Sequence, residues 1–282
     1  MSIATEVGLI AGRELRRNLR SIKGIILAVL ALLGTGATTI VVDWIQKKIR
    51  QEMQAEHGLT ADQLNEARKQ ILVKALGEDQ GNYFASLPEL LMAIFQVTVW
   101  LGPLLIALLC FDGLPSDVQH RGVRFWTLRA HRGSFYAGKA FGSWLTVSIV
   151  TLAMNVLVWV VAGARGSAPF GTCLSWGFRL WLYSLPISAA WCGLATLVSS
   201  LTRSPIVSLL ITFASFFLLW FVGFAIAGVT DNEVLGYLYP NSYDRLLMSV
   251  KAGKMMTGLG LCAVYAVGTT LVGTWLFARR DV

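Results

Sequence analysis

Six stretches of the chain contain no Asp, Glu, Lys or Arg: Gly24–Val42, Leu90–Phe111, Ala140–Ala164, Leu180–Thr202, Ser204–Thr230 and Met255–Ala278. A helix needs about 20 mainly apolar residues to cross roughly 30 Å of hydrocarbon, and each run is of that order. None alternates apolar and polar residues with a period of two. In lipid only helices and closed barrels satisfy the backbone, so these runs read as helices. The pattern predicts an all-α integral membrane protein with six transmembrane helices, forming a single transmembrane domain over residues 1–282.

The stretches between the runs have patterns of their own. Residues 1–23 place Ile3, Val7, Ile10 and Leu15 on one helical face and gather Arg13, Arg16, Arg17 and Arg20 on another. That is an amphipathic interfacial helix, expected to lie along the inner membrane surface. The run after it starts too late and is too long for a cleavable signal, so it reads as an anchor with its N-terminus inside. Residues 43–89 form an extracytoplasmic helical loop. Thr60-Ala-Asp-Gln63 reads there as a capping box, Gly77 as a helix end, and Ser86-Leu-Pro-Glu89 as a second box opening the second span. Residues Leu235–Pro240 are apolar and end in proline, and Tyr243–Ser249 is amphipathic. Together they predict a re-entrant pair of short helices dipping into the outer leaflet before the last span.

Composition agrees, with 55% hydrophobic and 14% charged residues and a mean hydropathy of +0.60. Charge then sets orientation. With the N-terminus inside, the cytoplasmic segments hold thirteen basic residues and five acids, so the whole net charge of +8 lies on that side. Both termini are therefore cytoplasmic by the positive-inside rule. Cys110, Cys192 and Cys262 fall in spans and Cys173 in a short outer loop; without a C-x-x-C or His pairing they read as small apolar filler.

Residues 112–139 are the only long charged segment between two charge-free runs. Arg121, Arg124, Arg129, Arg132 and Lys139 stand against Asp112 and Asp117, interleaved with Phe125, Trp126, Leu128 and Phe135. Such a segment either meets a partner or lipid headgroups at the inner surface, or only sets topology. Within it, Gly133 to Lys139 fits the G-x-x-x-x-G-K skeleton of a phosphate loop. Ala140 stands where that loop needs Ser or Thr, and no buried strand precedes it, so the match is fortuitous. No acid or base lies at the centre of any run: Glu89, Asp112 and Arg179 are all at run ends. His57, His120 and His131 make no metal-ligand spacing, and no catalytic triad can be placed. The expectation is a chain with no catalytic, cofactor or metal site, whose driving energy, if it moves something, comes from elsewhere. Polar residues at mid-depth, Gln96, Thr98 and Trp100 with Pro103 in the second run and Thr212 and Ser215 in the fifth, are expected to face protein or a cavity. Gly138 and Gly142 permit close helix contact.

These features together resemble the permease subunit of a type-2 ABC exporter, the type V fold. The family's inner-surface helix carries an R-E-L-R-like segment, matched by Arg13-Glu14-Leu15-Arg16. Its basic loop commonly runs acid, Gly-Thr, Arg, then Gly-Lys opening span three, and Asp117, Gly122, Arg132 and Gly138-Lys139 hold those places. Val123 stands for the usual Thr and Asp117 for the usual Glu. The resemblance implies two paired permeases in the cell inner (cytoplasmic) membrane, in contact with membrane lipid and not with nucleic acid. Each would be coupled to a separate ABC ATPase subunit that carries ATP and Mg²⁺. Asp117, Val118, Arg121, Gly122, Arg124 and Phe125 would form the ATPase-coupling loop. Gln96, Thr98, Trp100, Thr212 and Ser215 would line the pathway. The competing expectation is a membrane anchor or assembly protein that recruits a cytoplasmic partner without transport; an unpowered channel fits less well, because the spans lack polar stripes.

Overall fold

A computed structural model describes residues 2–57, 60–120, 130–166, 169–226, 229 and 236–279. The elements in order are α1 (Ile3–Arg20), α2 (Ile22–His57), α3 (Ala61–Leu76), α4 (Glu78–Ala85), α5 (Glu89–Cys110), α6 (Pro115–Gln119), α7 (Arg132–Ala164), α8 (Phe170–Leu201) and α9 (Pro205–Trp220). A π turn over Phe221–Ile226 continues α9; a 3-10 turn over Pro240–Tyr243 leads into α10 (Asp244–Leu247) and then α11 (Ala252–Arg279). Among the described residues there is no strand, and six helices are long and apolar enough to cross a membrane: α2, α5, α7, α8, α9 and α11. The chain is an all-α, multi-pass membrane protein.

The helices α2, α7, α8 and α11 outrun their charge-free runs. At 1.5 Å per residue α8 is about 48 Å long, well beyond the roughly 30 Å of hydrocarbon. Its early start after Pro169 corrects two expectations. Cys173 is not in a loop but fully buried in α8, and Arg179 lies within the helix, its guanidinium over the Trp176 ring at 5.0 Å. A long basic side chain of this kind reaches along the helix to the interface. Likewise Arg132–Lys139 belongs to α7, so the G-x-x-x-x-G-K segment is helical.

Outside the membrane, α3 opens with both halves of the capping box: Thr60 N–H donates to Gln63 Oε1 at 2.8 Å and Gln63 N–H to Thr60 Oγ at 3.4 Å. The second expected box does not form. Pro88 occupies the N-cap of α5 without a side-chain bond, Ser86 Oγ turns back to Tyr83 O, and Glu89 pairs with Arg68 of α3 at 3.0 Å. On the same side Asp43 of α2 binds Arg165 at 2.6 Å, fastening the outer ends of α2 and α7.

The bundle closes around α8, which packs against α5, α7, α9 and α11. Indole N–H groups stitch its flank: Trp144 donates to Leu185 O and Trp181 to Ser148 O, at 3.1 and 3.2 Å. On the inner side, α1 ends at Ser21, in extended conformation, and α2 turns away so sharply that a Cβ on Gly24 would collide with Asn18 O. α1 then lies across α7. Its buried residues are Glu6, Ile10, Ala11 and Glu14, while Ile3 is 64% exposed. The expected apolar face is therefore rotated: Ile10 packs into protein, and two acids share its face.

Candidate functional site

Two polar centres stand out in a structure dominated by apolar packing. The first lies at the inner end of α7. Lys139 Nζ reaches Asp117 Oδ2 at 2.5 Å, Glu14 Oε2 at 2.9 Å and Gly113 O at 3.1 Å, so its three protons each have an acceptor. Arg17 closes the ring from the solvent side, with Nη2 at 2.5 Å from Glu14 Oε1 and Nη1 at 3.5 Å from Asp117 Oδ1. Lys139 and Glu14 are buried at 5% and 4% exposure. Two carboxylates and two cations make the hub electrically neutral, which is how charges are tolerated away from water.

Local sequence explains the approach. Cβ atoms on Gly138 and Gly142 would fall 2.7 Å from Ile10 and 2.6 Å from Glu14 Cβ, so these two glycines admit α1 onto α7. The small pair does support a close helix contact, and its partner is the interfacial helix. Beneath the hub Ile10, Leu114, Phe135, Tyr136 and Phe277 form an apolar cluster with Val118 packed on it. At the other end of α1, Glu6 accepts from the His131 backbone N–H at 3.2 Å. Its carboxyl is held below the usual carboxylate range, first by the Ser134 hydroxyl and then by that N–H. Arg132 donates to Ala278 O at 3.0 Å, bringing the C-terminal end of α11 into the same assembly. One turn of helix, α6, is thereby tied to α1 and α7.

The second centre is the segment before α11. The Asn241 amide makes three hydrogen bonds: Trp191 Nε1 donates to its Oδ1 at 2.7 Å, and its Nδ2 donates to Val99 O at 2.9 Å and to Tyr239 Oη at 3.0 Å. Val99 O is available because Pro103, four residues on, has no N–H to offer it. In lipid such a carbonyl needs a protein partner, and Asn241 provides it. Val99 lies ten residues from Glu89, about 15 Å along the helix, so the segment reaches the middle of the bilayer. Next to it, Gln96 Nε2 donates to Asp244 Oδ2 at 3.3 Å, and Arg245 N–H donates to Asp244 Oδ1 at 2.5 Å. Asp244 is buried there. The bundle interior therefore contains an acid, supplied from outside the six charge-free runs. Leu235, the first residue of the expected re-entrant pair, lies outside the described residues, and the described part of that pair holds a 3-10 turn and one α turn.

The expected site residues separate into groups. Asp117 and Val118 are turned into the hub and the apolar cluster; Arg121, Gly122, Arg124 and Phe125 lie outside the described residues. Gln96 and Trp100, one helical turn apart, face the re-entrant segment, with Trp100 6.3 Å from the Tyr239 ring. Thr98 points elsewhere, into a cavity between α2, α5 and α7. Thr212 is fully buried and bonded to Ser208 O, and Ser215 is half-buried. The five pathway candidates thus do not converge on one lining within a single chain. Sequence reading missed the Lys139–Glu14 pairing, although Glu14 falls seven residues after Val7 and so on the same helical face. It also missed Asn241, for which the carbonyl freed by Pro103 was the available signal.

The six-span helical bundle, with α1 and the loop helix α6 joined to α7 by a buried ionic hub, defines a multi-pass membrane protein. The chain belongs to the ABC-2 family transporter proteins, whose family model matches residues 9–282. No curated protein matches it.

Proposed function

We propose that this chain is the permease subunit of an ATP-driven ABC exporter of the inner membrane. Two copies pair to form the pathway, and each is coupled to a separate ATPase subunit that carries the ATP and Mg²⁺. Family membership supports a permease role, since such subunits generally pair with an ABC ATPase. The observation that carries the reading is the hub. α6 is the first element of the cytoplasmic loop, and Asp117 joins it to α1 through Arg17 and to α7 through Lys139. A push on the loop from an ATPase is therefore delivered to the inner end of the third span and to the interfacial helix together. It switches the helices between states with different affinity for cargo, and the ATPase can do so only by binding those two states unequally. In this reading Asp117 transmits force within the permease, while Gln119 and His120, on the same turn, face the partner.

The test is purification of the tagged chain from its own host's membranes in mild detergent. An exporter permease should bring with it a Walker-type ATPase in equal amount. A chain that purifies alone, or with a partner that does not bind nucleotide, would favour the anchor reading.

A further inference from the structure

An apolar cavity of about 310 Å³ opens between α2, α5 and α7, within the size range of ligand sites. Leu30 and Gly34, Gly102 and Leu105, and Val150 and Met154 represent its three walls. Its only polar side chains are threonines, and each hydroxyl donates to its own helix: Thr35 to Ala31 O, Thr38 to Gly34 O, Thr98 to Ile94 O and Thr151 to Val147 O. No side-chain donor in the walls is left for a polar solute, and hydrocarbon leaves no donor unsatisfied there. Gly34 and Gly102 face this space, and a Cβ added to either would have nothing within 4 Å. Glycine within a helix costs roughly 0.5–1 kcal/mol relative to alanine. Close packing does not account for these two glycines.

Toward the inner surface the cavity runs to Leu109, which also lines a polar pocket of about 200 Å³ with Arg17, Asn18, Ser21, Lys23, Asp112 and Ser116. A narrow gap lined by Asn18, Gly24 and Leu27 lies between the two. Lys23 Nζ donates to Asp112 Oδ1 at 2.7 Å and to Leu109 O at 3.4 Å, and it lies over the Phe111 ring, 4.0 Å from its centre. Arg17 gives the hub one N–H from each of its two terminal nitrogens, and its guanidinium has further donors to offer the pocket. Two cationic groups thus meet in one small space at the headgroup level, and Arg17 brings unused donors to it. A long apolar groove that ends in such a pocket matches the shape and chemistry of one molecule. We propose that it holds a single anionic phospholipid of the inner leaflet, one acyl chain lying between α2, α5 and α7 and its phosphate beside Lys23 and Arg17.

The test is native mass spectrometry of the purified chain in detergent, titrated with phosphatidylglycerol or with phosphatidylcholine of the same chain length. One phosphatidylglycerol should be retained in preference by about fivefold, the effect of one basic residue near a headgroup. Gly34→Leu and Gly102→Leu, each on a different helix, start side chains into the groove from Cβ positions with nothing within 4 Å, and they should cut retention of both lipids at least tenfold while the chain elutes as wild type. Lys23→Gln should remove the preference and leave phosphatidylcholine retention unchanged. Glycerol 3-phosphate should not displace the bound lipid. Wild-type retention by both leucine variants, equal retention of the two lipids by the unsubstituted chain, or displacement by glycerol 3-phosphate would each overturn the proposal.

Discussion

Lys139→Ala is the sharpest perturbation of the ionic hub. It leaves Glu14, 4% exposed, and Asp117 facing each other with Arg17 alone between them. Removing one partner of a buried ion pair typically costs about 3–5 kcal/mol, because the remaining charge is uncompensated. At 1.4 kcal/mol per tenfold, that is a change in the folding equilibrium of about two to four orders of magnitude. The triple change Glu14→Gln, Asp117→Asn and Lys139→Met removes the buried charges together, and replacing a whole ionic cluster is often close to neutral. Arg17 then remains, 39% exposed on its side chain and solvated. Denaturant unfolding in detergent, read by tryptophan fluorescence, should therefore show Lys139→Ala well below wild type and the triple variant near it. Stability in Lys139→Ala within about 1 kcal/mol of wild type would refute the buried hub. So would a triple variant less stable than the single one.

Further outcomes rest on the same geometry. Single cysteines at Thr60 and Gln119 should be labelled by an impermeant thiol reagent in intact cells at Thr60 only; labelling at Gln119 would reverse the orientation. Gly142→Leu should cost about 1–3 kcal/mol, as overpacking does, because its Cβ falls 2.8 Å from Ala11 O and 2.6 Å from Glu14 Cβ; unchanged thermal stability would show that α1 is not seated on α7. Glu6, facing Ser134 and His131, has its carboxyl held below the ordinary value of 4.5, so its stabilising contribution is full above that value and is lost as pH falls through the folded value. Glu6→Gln should flatten that acid-side decline in melting temperature; an unaltered pH profile would show that Glu6 does not fasten α1 to the start of α7. Dissipating the proton gradient at constant ATP should leave transport intact, and loss of transport would point to ion coupling, with Asp244 the first group to test.

The spans were legible because twenty consecutive apolar residues leave the backbone one solution in lipid. The capping box at Thr60 was legible because its bonds are three residues apart. What escaped was long-range. Glu14 and Lys139 are both charged, and reading each in its own window as solvated or basic-loop residues hides that they neutralise each other across the chain. Asn241 and Asp244 sit in a window that reads as an outer loop, and only the carbonyl freed by Pro103 in another helix explains why they are drawn to mid-bilayer. Gln96, Thr98 and Trp100 share a depth, but spacing of two places Thr98 on the opposite side of α5 from the other two. Depth alone cannot assemble a pathway; helical phase was needed as well.

In the proposed mechanism an ATPase's motion passes from the loop through the hub into the spans. Spin labels at Gln119 on α6 and Leu218 on α9 would report it by electron–electron distance measurement on the complex, with ADP and then with vanadate-trapped ATP. Trapping should shift the distance distribution in the wild-type complex, and the neutral triple variant should keep the ATPase bound but lose the shift. A wild-type distribution that is identical in both nucleotide states would contradict the mechanism and leave the chain as an anchor.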